Sequence, residues 1–402
     1  QQDNRDLRDE RRKQKLEPLY SFMLRARVPG GVINADQWRA IDKISRELTS
    51  SGIRLTTRQT FQYHGILKRN VKKLIKGIND AFIDSLAACG DVNRNVLCNA
   101  NPLESIYHKE VYKDAVSVSN HLLPKSQAYH EIWLDEEKVA DVKEEKETIY
   151  GSTYLPRKFK IAIAIPPHND VDVNGNDLSF VAIIENKKVI GYNVLIGGGM
   201  GCTHSTPGTY PQIAKDIGFI KKTDIRKIAE AVVTTQRDYG DRTDRKKARL
   251  KYTVDRMGVD DFKKEVEIRS KIKLKKSKDF KFISHADRFG WIKNIDGTWN
   301  LTLFIEHGRI TDKPDGPQML SGLLEISNIH QGEFRITATQ NLIISKVDEN
   351  NKNIIEKLAR KHGLWREVSL IRQNSMACVA FPTCGLAMAE AERYLPTLIS
   401  KI

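Results

Sequence analysis

The sequence predicts an α+β fold with mixed sheets, and three observations carry that prediction. Short runs with apolar alternation, which mark strands, interleave along the chain with runs whose apolar residues recur every three or four positions, which mark helices. A strand–helix–strand unit then recurs late in the chain. In it Arg335-x-Thr337-x-x-Gln340 repeats Arg54-x-Thr56-x-x-Gln59 in type and spacing. An internal repeat over so long a separation predicts duplication with pseudo-twofold packing. Finally, 402 residues are enough for two or three domains with sizeable cores.

Taken in order, residues 1–18 are dense in charge of both signs and read as an exposed arm. Residues 19–86 form the first copy of the repeat. Arg25–Ile33 is a strand entering a Pro-Gly turn. Asp36–Leu48 carries Trp38, Ile41, Ile44 and Leu48 on one helical face, and Ile53–His64 alternates as a strand. Residues 87–258 form a larger α/β stretch. It opens on the polar loop Asp91–Cys98. Lys158–Ile165 reads as a strand with Lys158 and Lys160 on one face. Phe180–Ile184 and Val189–Ile196 are further strands, the second running into Gly197, Gly198 and Gly199. Arg226–Thr235 is helical. Residues 259–296 read as a charged linker with some helix. Residues 297–350 are the second copy: strand and turn over Trp299–Ile310, helix over Gln318–His330, strand over Phe334–Ile344. Residues 351–402 open a further domain.

Charge and cysteine usage narrow the class. Lys and Arg number 66 against 51 Asp and Glu, a net charge of +15. Such a balance suits an anionic partner: nucleic acid, an acidic protein, or small oxyanions held with an acidic cofactor. No RRM, KH or zinc-finger signature occurs, so no nucleic-acid partner is expected. No apolar run approaches the length of a membrane span, and no secretory signal is visible. Five cysteines make an odd number and no disulfide framework, which points to a reducing, cytoplasmic setting. The chain starts at Gln1 and stops at Ile402 inside a helical pattern, so both ends are expected to be cut.

Two groups of residues carry chemistry. Cys378 and Cys384 flank a Pro-containing turn, and Gly385–Leu395 has strong helix propensity. A thiol at such a helix start would sit at the positive end of the dipole, which favours the thiolate that soft metals and iron–sulfur clusters need. A buried pair in an ordinary turn fits the same spacing. The second group is basic: Arg27, Arg54, Arg58, Arg94, Arg157, Lys158 and Lys160 lie at strand ends and beside glycine turns, where backbones approach ligands closely. Lys158 and Lys160, two apart on a strand, can converge on one anion.

The segment Asn374–Arg393 resembles the first cluster-binding segment of the sulfite and nitrite reductases that carry sirohaem and a [4Fe–4S] cluster. The resemblance extends over essentially the whole chain. It implies an internally duplicated fold, with pseudo-twofold ferredoxin-like half-domains and a mixed α/β sirohaem domain. Residues 351–402 would then begin the iron–sulfur domain. It also implies roles. Arg27 in Arg-Val-Pro-Gly-Gly, Arg94 in Asn-Arg-Asn-Val-Leu-Cys, and Lys158 and Lys160 in Pro-Arg-Lys-Phe-Lys would surround the substrate anion, sulfite. Sirohaem, with eight carboxylates, would be held by Arg54, Thr56, Arg58, Gln62 and His64 in the first repeat and by Thr337, Gln340 and Asn341 in the second. Arg157, Gly198 and Gly199 would join them, as would Gln236, Arg237, Arg242 and Arg245 in Thr234–Arg245. Cys378 and Cys384 would be metal ligands. The family adds a later C-x3-C pair, and no cysteine follows Cys384 here.

The implied reaction is the six-electron reduction of sulfite to sulfide, in sulfur assimilation and cysteine biosynthesis. No G-x-G-x-x-G is present, so NADPH would act through a separate flavoprotein. Ile165–Asp172 with Asn176–Phe180 is most similar to the NADPH-dependent type. A ferredoxin-dependent sulfite or nitrite reductase is the alternative within the family.

Overall fold

A computed structural model describes residues 2–125, 131–134, 137–141 and 147–402. The chain divides into two compact units. Unit 1 comprises residues 1–88, 99–109 and 285–402, and unit 2 comprises residues 89–98 and 110–284.

The first leg of unit 1 runs β1 (Gln2–Asp3), α1 (Arg8–Lys13), β2 (Tyr20–Arg25), β3 (Val32–Asn34), α2 (Ala35–Leu48), β4 (Ile53–Leu55), β5 (Phe61–Ile66) and α3 (Val71–Asp80). The middle of the chain adds β6 (Leu97–Cys98), α4 (Ile106–His121), β7 (Glu131–Leu134), β8 (Glu137–Asp141), β9 (Ile161–Ala164), β10 (Leu178–Glu185), β11 (Lys188–Ile196), β12 (Lys215–Lys221), α5 (Ile225–Tyr239), α6 (Leu250–Met257) and α7 (Val259–Ser270). Unit 1 then resumes with β13 (Gly290–Lys293), β14 (Trp299–Leu303), β15 (Arg309–Ile310), α8 (Met319–Ile329), β16 (Glu333–Ile336), β17 (Leu342–Val347), α9 (Glu349–Lys361), α10 (Leu370–Gln373) and α11 (Leu395–Lys401).

The duplication is visible in unit 1. Each copy reads strand, 3-10 turn, short strand, helix, hairpin, helix, and each feeds its short strand into the other copy's sheet. The sheets are ordered β1-β2-β5-β4-β15 and β13-β14-β17-β16-β3. Arg309 on β15 lies opposite Arg54 on β4, and Val32 on β3 lies opposite Arg335 on β16. The exchange demands close approach at two glycines. A Cβ on Gly31 would meet the Ile336 carbonyl oxygen at 2.5 Å, and one on Gly308 would meet that of Leu55 at 2.5 Å. Both glycines have φ above +70°, which a side chain resists. Helix α2 is started by an Asn34–Gln37 capping box and buries Trp38, Ile41 and Ile44. Trp38 stacks on Phe334 of the other copy at 4.7 Å, so the two copies share one core.

The two long strands expected over Ile53–His64 and Phe334–Ile344 are each a hairpin. Thr56–Thr60 and Thr337–Asn341 form matching turns: Thr56 N donates to Thr60 O (2.8 Å), and Thr337 N donates to Asn341 O (3.0 Å). Gln59 and Gln340 occupy the same left-handed position, with φ of 51° and 67°. Neither turn contains a glycine or proline, so neither was marked in the sequence.

Unit 2 is built on the sheet β12-β11-β10-β9-β6. Strands β6, β9 and β10 run parallel, and β11 runs antiparallel to both of its neighbours, β10 and β12. Residues 259–284, expected as linker, belong to this unit: Phe262 and Val266 of α7 are fully buried. The terminal arm is also less free than its charge suggests. Arg5 donates to the carbonyls of Gly385 (2.7 Å) and Ala387 (2.8 Å), and Asp6 pairs with Arg393 (2.7 Å).

A further correction concerns the cysteines. Gly385–Leu395 is not a helix, and the helix there, α11, begins only at Leu395. Leu386 and Met388 are almost wholly exposed. Propensity without an apolar face to bury does not sustain so short a helix. Neither thiol therefore sits at a helix start.

Candidate active site

Several strand ends of unit 2 converge. Leu178, at the start of β10, lies opposite Ile161, at the start of β9, and Ile196, at the end of β11. The residues just outside these ends are Lys158–Lys160, Asp177 and Gly197–Gly199, and Arg94 precedes β6. Lys158 and Lys160 are not in the strand itself. They flank Phe159, whose ring is buried and whose backbone bridges the 92–94 loop: Phe159 N donates to Val92 O (3.0 Å), and Arg94 N donates to Phe159 O (2.9 Å). Burying one residue leaves its two neighbours to project together away from the core.

These ends form a cationic cradle. Burial, then Arg249, Arg94 and Arg157, lower the Lys158 pKa to about 8, with only Asp177 opposing. The Lys158 ammonium has no ion-pair partner among the described residues. Arg249, just before α6, pairs with buried Asp177 (2.9 Å), which holds the guanidinium charged despite burial. Its Nη2 is buried without a hydrogen-bond partner among the described residues. Gly198 packs so close to the carbonyls of Asn174 and Asn176 that a Cβ would meet them at 2.3 and 2.6 Å. Gly199 lies against Arg249 and Lys251. Sequence reasoning missed Arg249 and Asp177. A lone arginine after a basic run and an aspartate before a strand carry no local signal.

The set in Thr234–Arg245 braces this region. Arg237 Nη1 donates to Ile149 O (2.7 Å), and Arg242 Nη2 to Tyr154 O (2.6 Å). Arg245 pairs with Asp91 (2.9 Å) and Gln236 donates to Ala248 O (3.0 Å). Arg237, Arg242 and Arg245 thus support the 91–94 and 149–157 loops that present Arg94, Arg157 and Lys158.

In unit 1, the first hairpin carries a second buried polar group. Arg54 pairs with Glu392 (3.1 Å) and donates to Ala377 O (2.8 Å). Arg309 grips the same Glu392 (2.7 Å) and donates to His64 Nδ1 (3.2 Å). His64 Nε2 lies 3.0 Å from the Gln62 side-chain amide. Thr56 Oγ1 accepts from Arg58 N (3.2 Å). Arg27 forms a two-toothed pair with Asp84, the shorter arm at 2.7 Å. Arg309 and Glu392 were not foreseen. In the second hairpin, Thr337 and Asn341 donate to Asp287 (2.7 and 2.8 Å). Gln340 was expected at the cofactor, but it donates across the duplication to Leu55 O (2.7 Å) and is fully buried there.

Burial and the arginines around it lower the His64 pKa to about 3, and burial lowers that of His330. Both rings take a proton at lower pH in the folded chain than in the unfolded one, where histidine titrates near pH 6.5. Below that pH the unfolded state binds more protons, so their contribution is intact above about pH 6.5 and is lost as pH falls. Urea unfolding midpoints are expected to drop between pH 7 and 5, and His64→Gln is expected to reduce the drop. A pH-independent midpoint would contradict this.

Cys378 is exposed and Cys384 half-buried, on one loop closed by Cys384 N donating to Ala380 O (2.7 Å). Among the described residues, no group of three or more His, Cys, Asp or Glu side chains is placed to hold a metal. The pair places two thiols on that one loop.

Known families recognise both units. Residues 14–81 and 292–362 match the nitrite/sulfite reductase ferredoxin-like half domain, and residues 115–274 match the nitrite and sulphite reductase 4Fe-4S domain. The chain is 56% identical to the sulfite reductase [NADPH] hemoprotein beta-component of Anoxybacillus flavithermus over its full length, covering 71% of that protein. It is 57% identical to the component of the same name in Shewanella sp. strain ANA-3, covering 72% of it. The solved Mycobacterium tuberculosis NirA protein shares the fold with a TM-score of 0.76 at 22% identity, over 95% of this chain and 64% of that one. The chain belongs to the nitrite and sulphite reductases and, within them, to the family of the NADPH sulfite reductase hemoprotein beta-components.

Proposed function

We propose that this chain supplies the substrate cradle of a hemoprotein that reduces sulfite to sulfide. HSO3⁻ takes six electrons and six protons and gives HS⁻ and three waters. Each departing oxygen needs cationic stabilisation and a proton. The observation that carries the reading is the convergence of Lys158, Lys160 and the Asp177-paired Arg249 at the starts of β9 and β10, where burial and the neighbouring arginines lower the Lys158 pKa to about 8. The arginines supply fixed charge, and a lysine with a pKa of about 8 supplies a proton that it can release and regain near neutral pH. Lys160 completes the anion set of this unit, and the family resemblance gives Arg27 the same role.

The residues present suit sirohaem. Buried Arg249 Nη2 has no partner among the described residues, and Gly199, which has no side chain, lies beside it. In unit 2, Arg249 and Arg157 would hold its carboxylates, and the family resemblance gives Arg54, Arg58, Gln62, His64, Thr337 and Asn341 the same role. When bound, sirohaem supplies the iron that carries the electrons to sulfur. Cys378 and Cys384 would contribute to a [4Fe–4S] cluster. Electrons would come from NADPH through a separate flavoprotein subunit, and the role would be cysteine biosynthesis in the cytoplasm, in keeping with five free cysteines.

Two measurements test this. Sulfite and nitrite turnover of the holoprotein, with the flavoprotein or with ferredoxin as donor, should favour sulfite with the flavoprotein. Preference for nitrite with ferredoxin would overturn it. Arg58→Ala should lower sirohaem absorbance per chain, since its proposed partner is a cofactor carboxylate. Unchanged occupancy would remove Arg58 from the set.

A further inference from the structure

Asp177 is wholly buried and sits where three parts of the cradle meet. Its Oδ2 accepts from Lys160 N (2.9 Å), and its Oδ1 accepts from Arg249 Nε (2.9 Å). Its own carbonyl accepts from Gly197 N (2.8 Å), and Leu178 N, next in the chain, donates to Lys160 O (3.1 Å). One residue thus ties the lysine segment, the buried guanidinium and the glycine turn into one body. Its position just before β10 is what allows this, because β9 and β11 flank that strand in register.

We propose that Asp177 is a positioning residue: its single carboxylate locks the Lys158–Lys160 segment, Arg249 and the Gly197–Gly199 turn into one anion cradle, and its charge tunes how tightly that cradle holds an anion and how readily Lys158 gives up a proton. The proposal rests on the reading of Lys158 as a proton donor to sulfite. Around Lys158 the charged groups are Arg249 before α6, Arg94 before β6, Arg157 on its own segment and Asp177 before β10. Asp177 is the one anion among them, so it keeps the ammonium protonated against three arginines. Removing its charge has two effects of opposite sign. The cradle becomes more positive and holds an anion more tightly. Lys158 becomes a poorer holder of its proton and is found neutral at lower pH.

The test uses the holoprotein and Asp177→Asn, which keeps the shape and an acceptor oxygen. Competitive acetylation of Lys158, read by mass spectrometry across pH, reports its protonation without reference to turnover. The midpoint is expected to fall by roughly one pH unit. Sulfite kinetics with an artificial reductant should show a KM lowered severalfold, and a kcat lowered about fivefold near pH 8 with little loss near pH 6. Asp177→Glu, which restores the charge, should bring the midpoint back. An unmoved midpoint, with kcat lowered equally at all pH and KM raised, is what a merely structural residue would give, and it would overturn the proposal. If Asp177→Asn does not fold, Arg249→Met decides: loss of that cation leaves Asp177 acting on Lys158 alone and should raise the midpoint, and no rise would overturn the proposal. A moved midpoint in a protein whose Lys158→Met variant still reduces sulfite would leave Asp177's role intact and reject the donor reading instead.

Discussion

Replacing Lys158 by methionine in the holoprotein is expected to lower sulfite turnover by about 10²–10³ while sirohaem and cluster stay bound. Loss of one preorganised charged donor at a site of developing charge typically costs that much. Lys160→Met should behave alike. Lys158 also fixes the pH dependence. Its folded pKa, about 8, lies below the ordinary lysine value of 10.5. The donor is therefore present below about pH 8, and activity should fall as pH rises through that value. The stability sign is opposite. Between about pH 8 and 10.5 the unfolded chain binds the proton that the folded one has lost, so the penalty of the buried ammonium is full below pH 8 and relaxes above it. The readouts are cofactor absorbance per chain and turnover with an artificial reductant that bypasses the flavoprotein. Wild-type turnover in Lys158→Met would make it an ordinary solvated lysine.

Trp38→Ala is expected to destabilise unit 1 by about 3–5 kcal/mol, the usual cost of truncating a fully buried aromatic. Trp38 stacks on Phe334 across the duplication, so the loss is not confined to one copy. Phe334→Ala should cost a similar amount, and the double variant should cost less than the sum, because both remove the same stacked contact. Strict additivity in urea unfolding would show the two copies to be energetically separate, against the exchanged strands β3 and β15.

Much of the fold was legible because its signals are local. The α2 face, the repeated Arg-x-Thr-x-x-Gln and the glycine run before residue 200 all follow from spacing. The two hairpins were not legible, because Thr56–Thr60 and Thr337–Asn341 contain no glycine or proline to mark a turn, and a left-handed Gln59 or Gln340 closes each one instead. The helix read after Cys384 failed for the complementary reason: good propensity with nothing to bury Leu386 and Met388.

The candidate site divides along the same line. Arg94, Lys158 and Lys160 could be named from residue type and from the segments that resemble the family. Arg249 and Asp177 could not, since they lie some 90 and 20 residues from Lys158 and meet it only through the packing of β9, β10 and β11. Likewise Glu392 grips Arg54 and Arg309 only once the chain has folded back on itself.

By itself the sequence determined the α+β class, the duplication and the excess of cations, because each is a property of composition or of short-range pattern, and the family entered through the resemblance of whole segments such as Asn374–Arg393. Only the tertiary structure decided that the copies exchange strands, that Gln340 stitches hairpins and that three arginines and one buried carboxylate surround Lys158. Those outcomes depend on electrostatics and packing between residues far apart in the chain. Burial fixes the energy of such contacts, and no local pattern records it.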